Sequence, residues 1–135
     1  MHEASRVTLG VDTTVCLDGR AYGKPADAFD AEQTLRALSA RVHNVLSGLC
    51  LLGPELEIVE HATTAVSFRA LTDIEIDEYL ASREWMGRAG AYAIQGLGGR
   101  LVERIDGDYL NVVGLPGALL VTTLERHLPS LLRLS

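Results

Sequence analysis

Cysteine is scarce in this 135-residue sequence. Cys16 and Cys50 are its only two, each inside an apolar run and neither at metal-ligand spacing. That excludes a disulfide scaffold and a thiolate zinc knuckle, and leaves two buried, reduced thiols in a cytoplasmic protein as the expectation. No apolar run reaches the ~20 residues that a membrane helix needs. The longest, near the C-terminus, is broken by Pro116, Thr122, Thr123 and Glu125, so no membrane partner is expected. The opening residues, MHEASRVTLG, contain no apolar signal-peptide core. Positive charge is in deficit: 12 Lys and Arg stand against 18 Asp and Glu, for a net charge of −6. A nucleic-acid polymer calls for a basic face, so no such partner is expected; one bound nucleotide needs only a few local cations. The four histidines form no HxH or HExxH pattern, and there is no GxSxG elbow and no Walker loop. With no internal repeat and no linker, residues 1–135 read as a single domain.

What is present is strand and helix periodicity. Residues 7–17 alternate as a strand. Asp18-Gly19 marks a turn and Arg20–Tyr22 a short returning partner. Asp27 or Asp30 is placed to cap a helix reaching about Ala40, with Ala31, Leu35 and Leu38 inward. Residues 42–52 read as a buried strand with a glycine bulge. After Gly53-Pro54, residues 56–69 form a long strand. Thr72 and Glu75 make a capping box for a helix whose apolar positions are Ile74, Ile76, Tyr79 and Leu80. Residues 87–99 are a glycine-rich loop. Residues 100–113 read as a hairpin about Asp106-Gly107, and Leu115 to His127 as a final helix. Helices mixed with strands and hairpins predict an α/β or α+β fold with a mixed sheet.

Asp12 is the sharpest anomaly, a carboxylate in the middle of a half-buried strand. Its bland role is bonding to nearby amides; its chemical role is metal ligand or general base, with Thr13 beside it to orient a ligand. Lys24 is the sole lysine, held extended by the proline that follows. It is either a solvated side chain or a point charge for phosphate. Gln95 is the one side chain of the glycine-rich loop able to offer both donor and acceptor. Arg69 and Arg88 are candidate phosphate clamps, although exposed arginines are commonly just solvated. Taken alone, these residues reach only an acidic α/β domain with a polar cleft of nucleotide size.

The order of the blocks LGVDTTVCLDGRAYGKP, ALSARVHNVLSGLCLL, TTAVSFRALTDIEIDEYLAS and GRAGAYAIQGLGGRLVERIDGDYLNVVGLP resembles the Maf family of nucleoside triphosphate pyrophosphatases, from about Leu9 to the final helix. The resemblance implies an inosine-triphosphatase-like α/β fold, an elongated mixed sheet with flanking helices. It also implies hydrolysis of a nucleoside triphosphate to monophosphate and pyrophosphate with a divalent cation, Mg²⁺ or Mn²⁺, and allows a homodimer. By the same resemblance Asp12 is the proton acceptor, Thr13 and Gln95 select the base, and Lys24 lies near the phosphates. The Asp12-Thr13 pair and the run Ala91-Tyr92-Ala93-Ile94-Gln95-Gly96 are similar to the dTTP/UTP branch. The 7-methyl-GTP branch carries Gln after the Asp and Ser-Glu-Gly in place of Ile-Gln-Gly. The family's opening strand, Ser-x-Ser-Pro-Arg-Arg loop and helix have no counterpart in this sequence, an N-terminally truncated form of the family pattern. Arg88 also stands where Lys is frequent, and Ser47 where Thr is. The alternative expectation is a catalytically inactive remnant, at most a weak nucleotide-binding or interaction domain.

Overall fold

The computed structural model describes residues 6–132. Strands β1 (Thr8–Leu17), β2 (Arg20–Tyr22), β3 (Val42–Gly53), β4 (Leu56–Phe68) and β5 (Val102–Asp106) form one sheet in the order β2-β1-β3-β4-β5. The helices are α1 (Ala28–Leu38), α2 (Asp73–Ser82), α3 (Tyr109–Val113) and α4 (Gly117–His127). The α/β class with flanking helices is as expected. Every strand pairing among the described residues is antiparallel, where parallel pairing was expected to be mixed in. Tight turns enforce this at two of the joins. Asp18 and Gly19, at φ 50° and 78°, close β1 onto β2, and Pro54 and Glu55 close β3 onto β4.

The β3–β4 hairpin is the spine, paired without interruption from Val42↔Ser67 to Gly53↔Leu56. No bulge occurs at Gly48. It pairs with Asp12 on one side and His61 on the other, and a Cβ there would meet only the His61 ring, at 3.8 Å. The irregularity lies instead at Ser67/Phe68.

Helix starts follow the sequence signals. The Asp27 carboxylate accepts from the Asp30 amide at 2.8 Å, and both bonds of the Thr72–Glu75 capping box are formed. Helix α1 buries Ala31, Thr34, Leu35 and Leu38, while α2 buries Ile76 and Tyr79. Ile74 was expected on that inner face and is 69% exposed. At about 100° per residue it sits some 200° around the helix from Ile76 and cannot share its face.

The hairpin expected over 100–113 is not formed. Val102–Asp106 adds to the sheet beside β4, but the chain then leaves it. Asp108 caps α3 by accepting from the Leu110 amide at 2.9 Å, and it also accepts from the Ala118 amide at 3.2 Å. Asn111 settles the difference. Its amide is fully buried and donates to the Val45 carbonyl and the Thr64 hydroxyl, bonds that dock α3 on the sheet.

One sheet face carries two apolar clusters. Val15, Val45, Val66 and Phe68 meet α1, α2, Trp85 and Tyr92 in the larger. Leu49, Leu51 and Ile58 meet Val7, Val11 and residues of α4 in the smaller. On the other face Val42, Leu46, Leu52 and Val59 are exposed. No described helix is long and apolar enough to cross a membrane.

Candidate active site

A cleft of about 220 Å³ reaches from Val11, which packs in the smaller cluster, to Val15, Val45, Tyr92 and Ile94 of the larger. Three segments frame it: β1 and the turn after β2, the loop from Gly87 to Gln95, and the end of α3 at Val112–Gly114. β2 pairs only with Val15, Cys16 and Leu17. Towards Asp12 the outer edge of β1 is therefore left without a paired strand among the described residues, and the cleft opens along that edge.

Asp12 lines the cleft and is exposed, so it escapes the burial cost that made it an anomaly. Strand alternation explains this. Val11, Thr13, Val15 and Leu17 share the packed face, and Asp12 falls on the other. Its carboxylate makes no hydrogen bond or ion pair among the described residues. Thr13 faces inward, with its hydroxyl 3.0 Å from that of Ser47, directly opposite on β3. Among the described residues, Lys24 and Arg88 are the cations that line the cleft and Asp12 the one carboxylate. A chain of net charge −6 thus places its only lysine where an anion would enter. Gln95, exposed and without a partner among the described residues, ends the loop wall.

Of the six residues singled out from the sequence, five line this cleft: Asp12, Thr13, Lys24, Arg88 and Gln95. Arg69 does not. Its guanidinium donates to Glu75 Oε2 at 2.7 Å and to the Arg100 carbonyl, tying the start of α2 to the chain entering β5. That pair holds the Glu75 carboxyl below its ordinary range.

Sequence reasoning missed the cleft's floor. Tyr92 is buried there, and its hydroxyl lies 2.7 Å from His43 Nε2. The His43 ring also packs edge-on against Phe68, centroids 5.0 Å apart. Burial pushes the imidazole down from 6.5 to about 4 and the Tyr92 phenol up. The two residues are 49 positions apart, and no periodicity could have paired them. Val112 and Val113 were missed because their segment read as a strand.

No group of three or more His, Cys, Asp or Glu suited to a metal ion occurs among the described residues. The single cleft carboxylate among the described residues offers one oxygen ligand to a hard cation such as Mg²⁺, not a closed protein cage. Asp12 is the residue that would hold it.

Comparison with known proteins gives a consistent picture. The family model described as "Maf-like protein" matches residues 1–127. A protein of Koribacter versatilis named dTTP/UTP pyrophosphatase is 47% identical over 118 residues, which cover 87% of this chain and 61% of the relative. Proteins of the same name from Syntrophotalea carbinolica and Pyrococcus furiosus are 49% and 42% identical; each match covers 87% of this chain, and 54% and 62% of the relative. The chain thus spans between about half and two thirds of the length of these curated relatives.

Proposed function

The chain belongs to the Maf family, and from that membership we propose that it is a nucleoside triphosphate pyrophosphatase acting on UTP and dTTP. The observation that carries the reading is the convergence of Asp12 and Lys24, from β1 and the turn after β2, with Arg88 and Gln95, from the loop Gly87 to Gln95, on one cleft. Support for the pyrimidine preference comes from the relatives' name and from the Gln95 amide. The amide can donate to O4 and accept from N3–H of uracil or thymine.

In this mechanism the triphosphate is drawn in by Lys24 and Arg88, and the base meets Gln95 with Thr13 beside it. Asp12 accepts a proton from a water that attacks the α-phosphorus. The bond from the α-phosphorus to the bridging oxygen breaks, and the two cations meet the charge that develops on the leaving pyrophosphate. A divalent cation such as Mg²⁺ or Mn²⁺, held at Asp12, would add charge neutralisation on the phosphates. Tyr92 and Ile94, both buried, supply apolar wall to the cleft.

The test is pyrophosphate release by the purified chain from UTP, dTTP and GTP with Mg²⁺ or Mn²⁺. Release from the two pyrimidine nucleotides well above GTP is expected; no release from any of them contradicts the reading. Gln95→Glu probes the base contact. A carboxylate cannot donate to O4 and would oppose it, so kcat/KM with UTP should fall about 10- to 100-fold relative to GTP. An unchanged UTP-to-GTP ratio removes Gln95 from base selection.

A further inference from the structure

Gln95 sits in a loop with little regular structure, yet the chain on both sides of it is tied to one hydrogen-bonded pair of side chains, Tyr79 and Glu84. Glu84 Oε2 accepts from the Leu97 amide and Oε1 from the Gly98 amide, both at 2.9 Å. The Tyr79 hydroxyl donates to Oε1 at 2.9 Å and accepts from the Ala93 amide at 3.0 Å. The chain before Gln95 and the chain after it are thus bound through a single Tyr79–Glu84 pair. Glu84 is anchored in turn: its amide donates to the Ser82 hydroxyl, and the next residue, Trp85, is buried with its indole donating to the Leu80 carbonyl.

The glycines show how closely the loop closes on this pair. A Cβ on Gly96 would lie 2.2 Å from Glu84 Oε2, and one on Gly98 would lie 2.4 Å from the Ala93 carbonyl oxygen. Neither space admits a methyl group unless something moves. Burial would raise the Glu84 carboxyl, but the two amides, Tyr79 and the positive charge of Arg88 outweigh it and hold it below the ordinary range. The carboxylate is therefore ionised at neutral pH, as its acceptor role requires.

We infer that Glu84, together with Tyr79, is a positioning residue that fixes the 93–98 loop so that Gln95, without a partner among the described residues, is presented to the base of the bound nucleotide. The inference rests on the proposed function for its substrate and on the hydrogen bonds alone for the clamp. Without the clamp, Gln95 would sample many orientations and its contact with the base would carry an ordering cost. Base discrimination would weaken while Asp12, on a separate strand, kept its place.

Two readouts on the full chain test this. Glu84→Gln keeps the size but turns an NH₂ group towards one of the two amides. Amide hydrogen exchange at Leu97 and Gly98 should rise by about tenfold, the equivalent of one charge-assisted hydrogen bond lost. Tyr79→Phe should do the same at Ala93. In the nucleotide assay, Glu84→Gln should raise KM for UTP with little change in kcat, and the UTP-to-GTP ratio of kcat/KM should fall about tenfold. Gly96→Ala, which pushes the carboxylate aside from the opposite direction, should reproduce that fall. It should add little in a Glu84→Ala background. Unchanged exchange overturns the clamp. Faster exchange with an unchanged UTP-to-GTP ratio overturns the positioning role. A parent chain silent on every nucleotide contradicts the proposed function instead, and exchange still decides the clamp.

Discussion

Asp12→Asn should lower pyrophosphate release from UTP by about 10³-fold, within the 10²–10⁴ range typical of a lost general base, and leave the melting temperature nearly unchanged. The two halves of that expectation come from the same geometry. The Asp12 side chain is exposed, lies on the unpacked side of β1 and makes no bond to the described residues. Exchanging it for its isosteric amide removes no packing and leaves no orphaned partner, so stability should move by no more than about 0.5 kcal/mol. The β1–β3 pairing through Asp12↔Gly48 uses backbone groups alone and persists. What disappears is the only carboxylate that lines the cleft among the described residues, and with it the proposed proton acceptor and hard-cation ligand. Activity within tenfold of the parent, in a variant with an unchanged melting curve, would remove Asp12 from the chemistry.

The second large effect is on stability. Acidification should destabilise the protein by about 3 kcal/mol between pH 6.5 and 4, a window set by His43. Its imidazole is fully buried, against Phe68 and the Tyr92 hydroxyl, and burial depresses it from 6.5 to about 4. The unfolded chain therefore binds this proton more readily than the folded one. The stability from a neutral buried His43 is complete above pH 6.5, is lost as pH falls through the window, and falls no further from this source below about 4. At roughly 1.4 kcal/mol per pH unit the interval gives the stated size. The measurement is the urea midpoint of parent and His43→Gln from pH 7.5 to 4. The variant should be less stable at neutral pH and visibly flatter through the window. Parallel curves for the two proteins would show that His43 does not set the acid response. Because Tyr92 forms the floor of the cleft, nucleotide binding should weaken over the same interval.

Much of this architecture is written in local signals. Alternation marked residues 7–17 and 56–69 as strands and an apolar run marked 42–52, while Asp18-Gly19, with its short return Arg20–Tyr22, and Gly53-Pro54 set the turns. Thr72 with Glu75, and Asp27, set two helix starts. Asp12, Lys24 and Gln95 stood out because each is chemically out of place, respectively in a strand, before a proline and among glycines. What was not legible depends on long-range partners. Asp106-Gly107 carries the right letters for a hairpin, but Asp108 is spent capping α3 and Asn111 finds its acceptors on β3 and β4. Arg69 has the chemistry of a phosphate clamp, yet the second oxygen of the capping-box Glu75 takes it. Glu84 carries no motif at all. Its role is defined by amides 13 and 14 residues away that only folding brings to it.

The proposed reaction is attack by water at the α-phosphorus of a pyrimidine nucleoside triphosphate bound over Asp12. Turnover of UTP in H₂¹⁸O tests it most directly, with mass analysis of both products. UMP and pyrophosphate are expected, with one ¹⁸O per turnover in the UMP and none in the pyrophosphate. Label in the pyrophosphate, formation of UDP and orthophosphate, or no turnover at all would contradict it.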